Sequence, residues 1–290
     1  MRTPKVLVIG LALAGLAGCG TAVAAQHDPA WVEPAPATSS ASPPPSASRP
    51  SSPAASPSAE PDAADVPVSV EPTASTKPKP AKSTQQHHGG PANSLMKTGR
   101  SGVALTFDDG PDPVQTPRML DLLKRTHVKA TFCLVGQNVA AHPDLVRRIA
   151  DEGHTLCNHT WRHSLTLGRQ SPSVIRADLQ RTNDAIRAAV PGAEIKYMRA
   201  PGGNFTPAFV AAAGELGMTS IYWQVDPRDW EHPSGESGDA HRAKVIGSVK
   251  RHVSRGAIVL SHDYGQPGTI SAYETLIPWL KQRYTLIALP

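Results

Sequence analysis

The chain has 290 residues, 29 Lys or Arg against 24 Asp or Glu, a formal net charge of +5, and 39% hydrophobic residues. That length allows one large domain or two small ones, but more than half of the 29 prolines stand before residue 95, so the material for a core lies after it. Residues 96–290 hold 23 Lys or Arg and 18 Asp or Glu while residues 1–95 hold six of each; this excess suits an anionic neighbour, and its scatter along the sequence argues against a nucleic-acid partner.

In chain order, Arg2 and Lys5 precede the apolar run VLVIGLALAGLAG, which is too short to span a bilayer and fits the hydrophobic part of a secretory leader. The run ends in LAGC, Leu16 to Cys19. This resembles the lipobox of bacterial lipoproteins, and the resemblance implies that Cys19, which ends the lipoprotein signal segment 1–19, is lipidated and becomes the new N-terminus after cleavage. Residues 20–94 are dominated by Pro, Ala and Ser, with no hydrophobic period that would bury a face. They are expected to form a disordered, partly polyproline-like tether to a domain spanning residues 95–290. His87 and His88 in HHGG are read as incidental.

Within the domain, VALTF, ATFCLV, HTLCN, IKYMR, TSIYW, AIVLS and YTLIAL read as strands. A helix is expected over Ser173 to Ala189, with Ile175, Leu179, Thr182 and Ile186 at helical spacing behind a Ser-Pro start. Alternating strand and helix argue for an α/β fold with a parallel sheet. Seven strands permit a barrel or an open sheet, and in either case the site lies at the C-terminal ends of the strands.

Polar residues gather at those ends. The first strand delivers Asp108 and Asp109 and the third is followed by His159 and His163. Arg199 follows the fourth, Asp226, Asp229 and Trp230 the fifth, and the sixth ends at His262. Adjacent carboxylates repel and resist burial unless a cation relieves them. Two imidazoles and one carboxylate leave an open position on Zn²⁺, as catalytic sites require, and such an ion lowers the pKa of a bound water toward about 7. The second Asp is then free to act as general base, with a His opposite as general acid.

The motifs TFDDG, HTWRH, RAPGGN, DPRDW and LSH, in this order, resemble the five motifs of the NodB-type polysaccharide deacetylases, carbohydrate esterase family 4, over Leu105 to Leu289. The resemblance implies a distorted (β/α)7-type barrel, the NodB homology domain. It implies hydrolysis of N-acetyl groups from N-acetylglucosamine polymers, peptidoglycan or chito-oligosaccharide, or of O-acetyl groups from xylan. It also implies Asp108 as general base held by Arg199, and Asp109, His159 and His163 as ligands of Zn²⁺, or of Co²⁺ or Mn²⁺. His262 becomes the general acid tuned by Asp229, and Trp230 and Leu260 wall the acetyl pocket.

In the third motif, Gly202 and Gly203 stand where the family usually carries Tyr or Trp. The Gly202 N–H remains available to an oxyanion, but the substitution is expected to remove a sugar-facing wall. Cys133 and Cys157, at equivalent depths on the second and third strand candidates, are expected to form a disulfide in an exported protein. The leading reading is a deacetylase of cell-wall glycan, monomeric, lipid-anchored at the extracellular face of a bacterial membrane or secreted into the wall. The alternatives are an acetylxylan esterase and a non-catalytic glycan-binding lipoprotein.

Overall fold

The structure is a computed structural model that describes residues 89–290. The leader, Cys19 and the tether as far as residue 88, with His87 and His88, lie outside the described residues. No helix among the described residues is long and apolar enough to cross a membrane.

Seven strands, β1 (Val103–Asp108), β2 (Thr131–Leu134), β3 (Thr155–Asn158), β4 (Tyr197–Met198), β5 (Thr219–Ser220), β6 (Ile258–His262) and β7 (Leu286–Ile287), form one parallel sheet of order β5-β4-β3-β2-β1-β6, with β7 on β1. Among the described residues seven α-helices cover its outside: α1 (Gln115–Thr126), α2 (Gly136–Ala141), α3 (Pro143–Asp151), α4 (Pro172–Ala189), α5 (Pro207–Glu215), α6 (Gly238–His252) and α7 (Pro267–Lys281). The expected helix is α4, and its Ser-Pro start works as read: the Ser171 hydroxyl accepts from Val174 N–H and Pro172 occupies the first turn.

The side-chain parity of β1 explains the site. Val103, Leu105 and Phe107 belong to the large cluster shared with the helices, whereas Ala104 belongs to a small inner cluster with Cys133, Cys157, Ile221, Ile258 and Leu289. Successive strand residues face opposite sides, so Thr106 and Asp108 share the inner face with Ala104. Register continues the row, with Asp108 beside Cys133 on β2 and beside His262 on β6, and Cys133 beside Cys157 on β3. The two cysteines are joined by a disulfide, with Cα atoms 4.2 Å apart.

Strand β5 is shorter than TSIYW suggested, because the chain after Ser220 changes partners. Gln224 N–H donates to the Ile258 carbonyl (2.9 Å) and Leu260 N–H to the Val225 carbonyl (2.9 Å), which brings the continuation of β5 onto β6 and closes the ring. Lower down, the seam is filled by the segment before β1: Leu95 bridges to Ile221 and Lys97 to Ala257. Residues 89–94, given to the tether on composition, pack on the domain: Gly89 bridges to Leu95 and Ser94 is 1% exposed.

Candidate active site

Asp108 and Asp109 leave β1 in different directions because Asp109 takes φ +75°. Left-handed backbone is costly for a residue with a Cβ and collects at functional sites; Thr160, His163 and Arg228, in the loops of the other motifs, share it. The Asn138 side chain on α2 pins the turn by donating to the Asp109 carbonyl (2.7 Å).

Asp108 is buried and paired with a fully buried Arg199, whose Nη1 lies 2.6 Å from its Oδ1. The same Nη1 donates to Thr106 Oγ1 (2.9 Å) and Nη2 to the Tyr222 carbonyl (3.2 Å), so the guanidinium is held on two sides. Asp108 Oδ2 faces His159 Nε2 at 3.6 Å.

Asp109 Oδ1 lies 3.3 Å from Nε2 of both His159 and His163. It is buried and no aligned hydrogen bond satisfies it. His159 Nδ1 sits 2.8 Å from the Arg199 carbonyl, an acceptor only; Nδ1 therefore carries a proton, and Nε2 is the ring nitrogen that faces Asp109. An orphaned carboxylate oxygen between two imidazole nitrogens, one with its tautomer fixed from behind, is the donor set of a divalent cation. The residues fit such an ion. Burial alone would push the Asp109 carboxyl up, but His163, His159 and His262 reverse this and hold it far below the ordinary carboxylate range. Burial also lowers His163, against the pull of Asp109.

On the other side of Asp108, His262 Nδ1 lies 2.8 Å from Asp229 Oδ1, and His262 N–H donates to Asp229 Oδ2 (2.8 Å). Thr269 at the start of α7 donates to the same oxygen (2.6 Å). Burial disfavours the imidazolium, but the Asp229 carboxylate outweighs it, with Asp109 and Asp108 adding, and pushes His262 up to about 10.

Leu260 faces the lumen beside Thr106, two residues before His262. Trp230 stands at the rim, 40% exposed, with the Arg228 guanidinium 4.7 Å from its ring centre. Asp226 shapes the turn between them by accepting from Arg228 N–H (2.7 Å). Gly202 and Gly203 lie at φ +60° and +69°, and a Cβ on Gly203 would meet Tyr222 Cε2 at 2.6 Å and Trp223 Cη2 at 2.7 Å. Beside the Gly-Gly pair the Tyr222 and Trp223 rings stack 3.9 Å apart, close against Gly203, and Trp223 lies 5.8 Å from the Arg199 guanidinium.

Sequence reading missed Thr106, Asn138 and Thr269, which hold the charged groups. Strand parity would have found Thr106, two residues before Asp108; the other two sit on helices with no local signal. A second trio, His232, Glu236 and His241, also comes together. There the two imidazoles stack ring on ring, 4.1 Å apart and 18° from parallel, so their lone pairs do not converge, and Lys244 Nζ already lies 3.4 Å from Glu236. It is an ion-pair cluster that ties the loop after Trp230 to α6.

Comparison with known proteins gives the family. Residues 96–221 match the family profile of polysaccharide deacetylase. The chain is 38% identical over 199 residues to a chitooligosaccharide deacetylase of Bradyrhizobium sp., covering 64% of this chain and 87% of that one. It is 35% identical over 185 residues to a peptidoglycan-N-acetylglucosamine deacetylase of Bacillus cereus, covering 62% and 82%. Among solved structures, a carbohydrate esterase family 4 pseudoenzyme from Bacillus anthracis superposes with a TM-score of 0.60 at 30% identity, covering 68% of this chain and 67% of that one. With the parallel barrel and its strand-end carboxylates and imidazoles, these likenesses establish that the chain belongs to the polysaccharide deacetylase family of hydrolases.

Proposed function

We propose that the protein removes N-acetyl groups from an N-acetylglucosamine-containing polysaccharide, peptidoglycan or a chito-oligosaccharide, and releases acetate with the help of a divalent ion. The observation that carries this is the division of labour between adjacent carboxylates: Asp108 goes to Arg199 and Asp109 to two imidazoles. A glycan-binding module has no use for that division.

Asp109, His159 and His163 would hold the ion, with Zn²⁺ suited to the imidazole and carboxylate set and Co²⁺ or Mn²⁺ also accepted. When bound, it supplies Lewis acidity at the acetyl carbonyl. Arg199 keeps Asp108 ionised through Oδ1 and leaves Oδ2 to accept a proton from the attacking water. The Gly202 N–H donates to the oxygen that becomes negative as the carbonyl carbon turns tetrahedral. His262 is protonated at neutral pH and held at Nδ1 by Asp229, so Nε2 gives its proton to the departing amine as the C–N bond breaks. Trp230, Leu260 and the Tyr222–Trp223 stack give the acetyl group and its sugar apolar surfaces.

Relatives named for chitooligosaccharide and for peptidoglycan support an N-acetylated substrate. Lipidation at Cys19 and a tether to about residue 88 would hold the domain at the outer face of a bacterial membrane, within reach of the wall. The test is acetate release by the purified protein from peptidoglycan, chitopentaose and acetylated xylan in parallel, after zinc is restored. Release from an N-acetylated substrate that Asp108→Asn and His159→Ala both abolish supports the reading, and release from xylan alone makes the protein an esterase. Silence on all three with zinc bound leaves glycan binding as the function.

A further inference from the structure

Basic residues that are scattered along the sequence converge at one end of the barrel. In a parallel βα barrel the helix C-termini lie at the end where the strands begin, so the end opposite Asp108 and His262 is built from the stretches that lead into each strand. Four of these, residues 97–102, 123–130, 248–257 and 279–285, form one continuous surface. Thr98 N–H donates to the Gly256 carbonyl (2.8 Å), Val103 N–H to Thr285 (2.9 Å), the Tyr284 hydroxyl to Val253 (3.2 Å) and Lys281 Nζ to Thr126 (2.5 Å).

Together the four stretches carry ten Lys or Arg and no Asp or Glu, twice the net charge of the chain. The first holds Lys97 and Arg100, and the second Lys124, Arg125 and Lys129. The third holds Lys250, Arg251 and Arg255, and the last Lys281 and Arg283. All but Lys250 are exposed. Among the described residues only Arg125 has a carboxylate within ion-pair reach, Glu274 at 3.2 Å.

Helix polarity accounts for half of this, because Lys124, Arg125, Lys250, Arg251 and Lys281 lie in last turns, where cations are favoured. It does not account for Lys97, Arg100, Lys129, Arg255 and Arg283, which lie outside the helices. Nor does it fit the other half of the same end. Residues 150–155, 187–196 and 213–219, leading into β3, β4 and β5, carry Asp151, Glu152, Glu194 and Glu215 against Arg187 and Lys196.

We propose that the basic half of this end docks an extended polyanion whose charges are phosphate groups. Unpaired Arg and Lys repel one another until an anion neutralises them, and the arginine fork matches phosphate oxygens. The exposed large hydrophobics of the described residues are Val114, Val174, Trp230 and Tyr264, none of them in the four stretches. Surfaces that insert into lipid present such side chains; here the partly buried Trp279 lies under Lys250 and Arg283, and a face of exposed cations fits a hydrated polymer. The occupant lies at the far end from the catalytic groups and does not compete with substrate.

The test is binding of the purified full chain to long-chain inorganic polyphosphate and to anionic phospholipid vesicles across a salt series. It compares Arg100→Glu/Arg255→Glu/Arg283→Glu with a control of equal net charge, Arg176→Glu/Arg187→Glu/Lys196→Glu, and with an Ala version of the first triple. The expected result is polyphosphate binding that weakens steeply with salt, a loss of about tenfold or more in the first triple, a smaller loss in its Ala version and little in the control. Chitopentaose turnover, if present in the parent, stays unchanged in all three, and unchanged circular dichroism certifies the fold. Equal loss in both charge-reversed triples, no polyphosphate binding at low salt, or binding to vesicles alone would overturn the proposal.

Discussion

Arg199 Nη1 and Asp108 Oδ1 lie 2.6 Å apart with neither side chain appreciably open to solvent. A buried pair of this kind is costly to break from one side, because the survivor is left charged without a partner. Arg199→Met should therefore lower unfolding stability by about 3–5 kcal/mol and reduce kcat, whereas Asp108→Asn should abolish turnover and keep zinc binding. Denaturant unfolding together with metal content separates the two. Asp108→Asn losing zinc as fully as Asp109→Asn would contradict the assignment of different jobs to the two carboxylates.

Zinc added to the chelator-treated protein should raise Tm, since a ligand that binds only the folded state stabilises it by about 2.7 kcal/mol at a hundredfold excess over Kd. His159→Ala, His163→Ala and Asp109→Asn should each blunt that rise, and His241→Ala should not. Calorimetry with and without zinc decides between the two trios.

With His262 pushed up to about 10 by Asp229, the alkaline limb of kcat/KM should fall near pH 10. Asp229→Asn should draw that limb down toward the ordinary histidine value of about 6.5. The sign for stability follows from a folded pKa above the unfolded one. The contribution of His262 to folding is complete below about pH 6.5 and disappears as pH rises through about 10. A pH–rate profile with the same alkaline limb in both proteins would remove His262 as the acid.

Cys133 and Cys157 close a separation of 24 residues, which in the loop-entropy account is worth about 3 kcal/mol. Cys133→Ser/Cys157→Ser should lower Tm by roughly 5–10 °C for a domain of this size. Thiol titration of the unfolded, unreduced domain should find neither cysteine free; two free thiols would show that the bond does not form.

Gly203 cannot carry a side chain without displacing the Tyr222 and Trp223 rings. Gly203→Ala should destabilise the domain by more than 1 kcal/mol, strain at positive φ adding to the clash. Trp223→Ala, which leaves Gly203 its backbone, should raise KM for an oligosaccharide more than it lowers kcat. A pure kcat effect would show that the stack orders Arg199 and does not face sugar.

The site was legible in the sequence where its residues sit at strand ends, because a strand delivers its last side chain to a predictable edge. Asp108, Arg199 and His262 follow apolar runs directly, and His159 and Asp229 follow within a few residues. What could not be read were contacts made across the ring. Thr269 reaches Asp229 from a helix forty positions away, and Asn138 reaches the Asp109 carbonyl from α2; neither position differs in pattern from its neighbours. The tether boundary was misplaced for a related reason. Residues 89–94 are polar and proline-bearing like the spacer before them, and only their docking on the barrel separates them from it.

The segment Leu95–Lys97, which fills the seam between β5 and β6, joins everything ahead of it to the working parts by a short mechanical path. Tension on the chain ahead of residue 89 reaches Ile221 and Ala257 before any of the α-helices, and Ala257 adjoins the strand that ends at His262. A load on the N-terminal side would thus be borne by the one join in the ring that is not a continuous strand ladder, which makes that seam the place where a pull would first be felt by the acid side of the site.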